Sequence, residues 1–116
     1  MQMNLVDRPD GITHVTLVGA LDLAGTNQID LKFQGSVAPR RQPTIVDMAG
    51  VPFISSLAMG MLVSAATSLR RNGKKMVLLA PTPEVSEAVR HARLEAIFPI
   101  VTTLDEAVAL VLPKPA

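Results

Sequence analysis

The chain has 116 residues, of which 48% are hydrophobic and 18% charged, and this predicts one globular domain, 1–116, with a single core. A net charge of +1 and only three aromatic residues, all Phe, argue against a nucleic-acid surface, which needs a basic patch and stacking side chains. The absence of cysteine excludes a disulfide scaffold, thiol catalysis and most structural zinc sites.

The N-terminal segment is predicted to form an antiparallel hairpin. A tight-turn signal, Asp10-Gly11, separates two strand-like runs, MNLV and THVTLVG. In the second run Val15 and Leu17 alternate with polar residues, so we expect one face of this strand to be wetter than the other. We find neither a basic N-terminal leader nor an apolar run of roughly 20 residues, and we therefore expect a soluble, cytoplasmic domain.

A helix is predicted next, beginning near Asn27 and ending at Pro39. Asn27 and Asp30 have a spacing that resembles a capping box. Three apolar residues recur four apart on one face of this helix: Ile29, Phe33 and Val37.

The remaining segments alternate between strands and helices. TIVDM is predicted to be a buried strand followed by a helix over 57–71, and MVLLA a buried strand followed by a helix that Thr82 caps. A short edge strand, IV, precedes a closing helix with a capping box formed by Thr103 and Glu106. This pattern predicts an α/β fold with a small mixed sheet, in which the N-terminal hairpin is antiparallel and the remaining strands are mostly parallel. We expect about four to five flanking helices and a flexible tail at 113–116.

Two hydroxyl groups, on Ser55 and Ser56, lie where the strand TIVDM gives way to the following helix. Serine is a favoured N-cap, because its side-chain oxygen accepts hydrogen bonds from N–H groups of the first helical turn. Capping by itself is one interpretation of this pair of residues.

On a helical wheel the residues of this helix divide into two faces. The predicted core face consists of Leu57, Ala58, Met61, Leu62, Ala65 and Leu69. The opposite face consists of Ser56, Met59, Gly60, Val63, Thr67 and Arg70. This second face combines adaptable apolar side chains with a Gly that allows close approach. It is predicted to be a docking surface, with a second layer of the domain's own structure as the alternative cover.

This order of elements resembles the STAS domain, the anti-sigma factor antagonist family, over roughly Leu5 to Val111. The stretch TIVDMAGVPFISSLAMGML is similar to the family's apolar strand ending in Asp, small turn and Asp-Ser-Ser/Thr-Gly-Leu-Gly-x-Leu. Asp47 matches the strand Asp, and Ser56 matches the serine that the family phosphorylates. GALD matches Gly-x-Leu-Asp after the second strand, which implies that Asp22 lies on a loop beside that serine.

The chain departs from the family pattern at several positions while the spacing and the apolar pattern stay intact. Ser55 replaces the usual Asp, Leu57 the Ser/Thr, Ala58 the first Gly, and Ala92-Arg93-Leu94 the usual Ser-Gly-Leu. These replacements change the neighbourhood of the phosphorylated serine.

The resemblance implies a non-enzymatic interaction domain in a partner-switching pathway. The unmodified domain is expected to bind an anti-sigma factor that is also a serine kinase. Phosphorylation of Ser56 would end that binding, and a serine phosphatase would restore it. We expect the partner to contact Asp22, Ser55, Ser56, Met59, Gly60, Val63 and Thr67. The alternative is an accessory subunit on the ATPase of a lipid-transport ABC complex, or a part of a stress-sensing assembly.

Other chemistry finds little support in the sequence. His14 and His91 lie on separate elements, without a nucleophile elbow or clustered carboxylates, so neither catalysis nor metal binding is expected. No nucleotide phosphate-binding loop occurs, and no cofactor is expected. The run RRNGKK carries four positive charges, which usually mark a solvated helix end. We expect neither nucleic-acid binding nor membrane insertion.

Overall fold

The computed structural model describes residues 1–112, which form a five-stranded sheet flanked by four α-helices. The strands are β1 Gln2–Asp7, β2 Thr13–Val18, β3 Thr44–Gly50, β4 Met76–Leu79 and β5 Ile100–Val101. The helices are α1 Leu23–Val37, α2 Ser56–Arg71, α3 Pro83–His91 and α4 Leu104–Val111, with a 3-10 turn, Ala38–Arg40, after α1. The predicted tail, 113–116, lies outside the described residues.

The sheet has the strand order β1-β2-β3-β4-β5. The β1–β2 pair is antiparallel and the other three pairs are parallel, so the predicted fold class is confirmed. Because a helix follows each parallel strand, the helix N-termini gather at the carboxyl ends of the strands, which we call the apex, and their C-termini at the base. The apex comprises residues 19–26, 47–60, 80–86 and 102–106. The base comprises residues 8–12, 38–43, 70–75 and 90–99.

The sheet is buried on both faces by two separate hydrophobic clusters. The larger cluster joins the sheet to α1, α2 and α3, and includes Phe33, Val46 and Leu62. The smaller cluster joins the opposite face to α4, and includes Ile45 and Ala107. Val46 and Ile45 belong to different clusters because successive side chains of a strand point to opposite faces.

The structure corrects the predicted start of α1. The helix begins at Leu23, and Asp22 is its N-cap, with Oδ1 accepting a hydrogen bond of 2.7 Å from the Gly25 N–H. The capping box of Asn27 and Asp30 was therefore wrong, because both residues lie inside the helix. A parallel bridge between Leu21 and Ile54 places Asp22 at the end of an extended segment, where a helix can begin.

The other predicted caps agree with the structure. The Thr82 hydroxyl oxygen accepts a hydrogen bond from the Val85 N–H, and the Thr103 hydroxyl oxygen accepts one from the Glu106 N–H. One predicted core residue was wrong, since Leu57 is exposed. Leu57 lies in the first turn of α2, at the apex, where the sheet ends and the position on a helical wheel no longer decides burial.

Candidate functional site

The N-termini of α1 and α2 are joined by backbone hydrogen bonds at the apex. The Leu21 N–H donates to the Phe53 carbonyl at 2.9 Å, and the Ser55 N–H donates to the Leu21 carbonyl at 2.8 Å. Asp22 directly follows Leu21, and Ser55 itself takes part in this contact; Asp22 caps α1 and Ser55 caps α2. The structure thus brings Asp22, Ser55 and Ser56 together, although they are far apart in the sequence.

The two adjacent serines differ in what their hydroxyl groups do. The half-buried Ser55 is the N-cap of α2, and its Oγ accepts a hydrogen bond of 3.1 Å from the Ala58 N–H. Ser56 is the first residue of the helix and is exposed, and its hydroxyl forms no hydrogen bond within residues 1–112. Since Ser and Asp are comparably good N-caps, Ser55 keeps the cap without placing a carboxylate beside Ser56.

The predicted docking face of α2 is partly covered by the domain itself. Met59, Val63 and Thr67 are half-buried, and Met59 and Val63 pack against the larger core cluster. Gly60 is exposed, and a methyl group built on it would meet no other atom within 4 Å. Of the predicted partner-binding residues on α2, Ser56 and Gly60 are therefore the most accessible.

Three exposed apolar side chains lie at the same end of the molecule as Ser56 and Gly60, and the sequence reasoning missed this exposed set. Leu23 is 66% exposed, Phe53 53% and Leu57 44%, and all three lie in the loops or first helical turns of the apex. Phe53 gave a usable signal, because it is a large apolar residue next to Pro52, between elements, where no helical or strand periodicity calls for one. We call Leu23, Phe53 and Leu57 the apical apolar cluster.

The apex is acidic. It carries five carboxylates, Asp22, Asp47, Glu84, Asp105 and Glu106, and its sequence contains no Lys or Arg. Asp47 accepts a hydrogen bond of 3.0 Å from the Ala49 N–H. Glu106 accepts hydrogen bonds from the hydroxyl groups of Thr102 at 2.8 Å and Thr103 at 3.0 Å, and these bonds hold the pKa of Glu106 below its usual value. A cationic partner surface would therefore meet a matching charge here.

The two histidines lie away from this site. His14 is in β2 and His91 is the last residue of α3, at the base. Within residues 1–112 no group of three or more His, Cys, Asp or Glu side chains is arranged to hold a metal ion. None of the described helices has the length and apolar character that crossing a membrane requires.

Comparisons with known proteins agree on one family of domains. A sequence profile of the STAS domain family matches residues 5–107. BtrV of Bordetella bronchiseptica, a candidate anti-sigma factor antagonist, is 24% identical over 104 residues, which cover 90% of each chain.

Solved structures share the fold. An anti-sigma factor antagonist from Mycobacterium paratuberculosis has a TM-score of 0.83 at 22% identity, covering 95% of this chain and 92% of that one. The Bacillus cell fate determinant SpoIIAA, in its phosphorylated form, has a TM-score of 0.69 at 19% identity, covering 94% of this chain and 98% of that one.

Proposed function

Because the chain belongs to the STAS domain family, we propose that it acts as an anti-sigma factor antagonist in a partner-switching pathway in the cytoplasm. Its partner is an anti-sigma factor that is also a serine kinase. Phosphorylation of Ser56 ends the binding, and a serine phosphatase restores it. The observation that carries this proposal is the exposed hydroxyl of Ser56, free of hydrogen bonds within residues 1–112, at the rim of the apical apolar cluster.

The position of Ser56 supports its role as the phosphate acceptor. An exposed residue in the first turn of a helix is reachable by a kinase without unfolding. The free N–H groups and the helix dipole at this end also favour an anion. A phosphate, with a charge of about −1.5 to −2 at neutral pH, is therefore compatible with the folded domain. SpoIIAA, which shares the fold, has been solved in a phosphorylated form.

The surroundings of Ser56 account for the loss of binding. The apical apolar cluster gives a partner a surface to bury, and binding there would remove water from Ser56. A phosphate on Ser56 would have to lose its hydration beside these apolar side chains, with the Asp22 carboxylate nearby as a like charge. The phosphorylated domain should keep its fold and lose its partner.

The direct test is to incubate the domain with its cognate serine kinase and ATP. We expect the addition of one phosphate, located on Ser56 by intact-mass measurement and peptide mapping. Modification of Ser55 would show that the phosphate acceptor is misassigned by one residue. No modification would favour the function of an accessory subunit on a transporter ATPase.

Two acidic variants test whether a negative charge at the interface prevents binding, without the need for phosphorylation. Ser56→Asp should keep a native circular dichroism spectrum and Tm while losing about a hundredfold in affinity for the anti-sigma factor. Ser55→Asp should bind the partner much as the parent does, because Asp can replace Ser as the cap. Unfolding of Ser56→Asp, or undiminished binding by it, would contradict repulsion at the interface.

A further inference from the structure

The base contains a groove that the proposed function does not use. It has a volume of about 410 Å³ and lies between the end of α2, the loop before β4, and the segment 96–99. Its lining combines the apolar residues Met76, Ile97 and Leu110 with the cations Arg70, Lys74 and Lys75. A second groove of about 290 Å³, on the other side of the same loop, shares Lys74, Lys75 and Leu110.

Among the described residues, 1–112, the cations of this groove have no carboxylate partners. Within residues 1–112 the ion pairs join Arg8 to Asp10, Arg40 to Asp7 and Arg90 to Glu95. The carboxylates at or beside the base are therefore already paired, and Arg70, Lys74 and Lys75 form no ion pair within this range. The base is left with an excess of positive charge around an apolar groove.

Helix termination explains only part of this charge. Arg70 and Arg71 lie in the last turn of α2, where cations are stabilised by the helix dipole. Lys74 and Lys75 follow Gly73, outside the helix, so the dipole does not account for them. They are also the two cations that line both grooves, with Lys74 half-buried between them.

We propose that this basic groove binds an acidic, extended segment of a partner protein that inserts an apolar side chain between Ile97 and Leu110. Carboxylates of the segment would pair with Lys74 and Lys75, while the groove buries an aliphatic or aromatic anchor. This combination of a charged rim with an apolar centre is typical of peptide-binding sites.

Other occupants fit the groove less well. A single-stranded nucleic acid would need aromatic stacking platforms, and the base contains one Phe, the fully buried Phe98. A membrane surface favours protruding apolar side chains over a concave apolar lining.

The groove and Ser56 lie at opposite ends of α2. A helix of 16 residues is about 24 Å long, so a segment in the groove leaves the apex accessible. Binding at the base is therefore expected to be independent of Ser56, and its failure would leave the proposed function at the apex untouched.

The test uses fluorescence anisotropy with a labelled acidic peptide of about a dozen residues that carries two central leucines. The full chain should bind it, and binding should weaken as the salt concentration rises. Lys74→Glu combined with Lys75→Glu should weaken binding by about tenfold or more. Lys32→Glu combined with Arg71→Glu, which makes the same charge change outside the lining of the grooves, should weaken it far less.

Two further variants test the apolar contribution to peptide binding. One tests it separately from charge, and the other tests whether binding depends on the apex. Ala96→Trp, at an exposed position in the groove lining, should reduce binding with little change in Tm. The same substitution should not affect a peptide in which serines replace the leucines, since that peptide has no anchor to lose. Ser56→Asp should bind the leucine peptide as the parent does.

Several outcomes would overturn the proposal. One is peptide binding that neither the lysine variant nor Ala96→Trp reduces. Another is tighter binding to phosphatidylglycerol vesicles or to duplex DNA than to the peptide, which would assign the basic groove to a membrane or a nucleic acid. A third is concentration-dependent self-association in sedimentation that the lysine variant abolishes, which would identify a second copy of the chain as the occupant.

Discussion

The apex and the base are built from the same helices and strands but carry opposite charges. The apex contains five carboxylates and no Lys or Arg. The base contains most of the basic residues of the chain: Arg8, Arg40, Arg41, Arg70, Arg71, Lys74, Lys75, Arg90 and Arg93. A net charge of +1 therefore conceals a strongly polarised molecule, and the sum of the charges says little about either surface.

The direction of the helices explains part of this separation. Because β2 to β5 are parallel, all four helices begin at the apex and end at the base. Acidic side chains are stabilised near helix N-termini, and basic side chains near helix C-termini. Three helices begin or end accordingly, with Glu84 in the first turn of α3, Asp105 and Glu106 in that of α4, and Arg70 and Arg71 in the last turn of α2. Each preference of a charged side chain for one helix end is small. These preferences add up because all four helices point in the same direction.

The largest expected effect concerns binding at the apex. Gly60→Arg places a long cation on the exposed line of α2 and should abolish binding of the anti-sigma factor. The Tm should stay nearly unchanged because, apart from the adjoining residues and backbone of α2, no described atom lies within 4 Å of the new Cβ. Gly35→Arg is the matched control, since Gly35 is also an exposed helix residue with open space around it. It lies on α1, away from Ser56, and should bind normally. Equal losses of affinity in both variants would mean that the partner does not bind on this face of α2.

The largest effect on stability is also expected at the apex. A Cβ at Gly25 would lie 2.1 Å from the Ala20 carbonyl oxygen, so the backbone must move. Gly25→Ala should therefore lower the free energy of unfolding by about 3 kcal/mol, or the Tm by about 10 °C. Gly35→Ala, in the same helix without such a contact, should raise stability by up to about 1 kcal/mol. Similar thermal melts for the two variants would mean that the contact with Ala20 is not tight.

The two serines should differ in stability as they differ in hydrogen bonding. Ser55→Ala removes the N-cap of α2 and should cost about 1 kcal/mol. Ser56→Ala removes a hydroxyl that forms no hydrogen bond within residues 1–112 and should change stability by less than about 0.5 kcal/mol. Urea denaturation of both variants gives the comparison. A larger loss for Ser56→Ala would mean that Ser56, rather than Ser55, caps the helix.

At the base, the sequence departure at Arg93 has a structural cost. Arg93 has φ of 58°, a left-handed conformation, at the position where the family resemblance places a Gly. Arg93→Gly should raise stability by about 0.5–1 kcal/mol, because Gly adopts this conformation without steric strain. Arg93→Ala removes the same charge but keeps Cβ, so it should give no such gain in thermal melts. A gain of the same size from Arg93→Ala would attribute the effect to the charge.

The smallest expected effect is the pH dependence of stability. Its cause differs between the apex and the base. Hydrogen bonds from Thr102 and Thr103 lower the pKa of Glu106 at the apex, and the hydrogen-bonded guanidinium of Arg8 lowers the pKa of Asp10 at the base. Since both values are lowered in the folded state, each carboxylate adds stability above its unfolded pKa. That stability is lost as the pH falls through the folded pKa.

Salt should separate these two causes. In an NMR titration, added salt should move the pKa of Asp10 towards its usual value, because exposed ion pairs are screened. The pKa of Glu106 should move less, because hydroxyl groups carry no net charge. Equal salt dependence at both residues would mean that a general field, rather than local bonds, sets the two pKa values.

Much of the fold could be predicted because each element carries its own signal. Val15 and Leu17 are buried as their alternation predicted, and the MVLL run of β4 is buried throughout. Thr82 and Thr103 cap the helices that follow them. These features depend on neighbours within a few residues along the chain, so the sequence contains all the information that they need.

The start of α1, the exposure of Leu57 and the composition of the apex required the tertiary structure. Asp22 begins its helix because Leu21 is bridged to Ile54, a contact between segments that the sequence does not connect. Leu57 satisfies the helical wheel of the core face but lies beyond the edge of the sheet and stays 44% exposed. The periodicity of a helix determines its faces, and only the packing of whole elements decides which part of each face meets water.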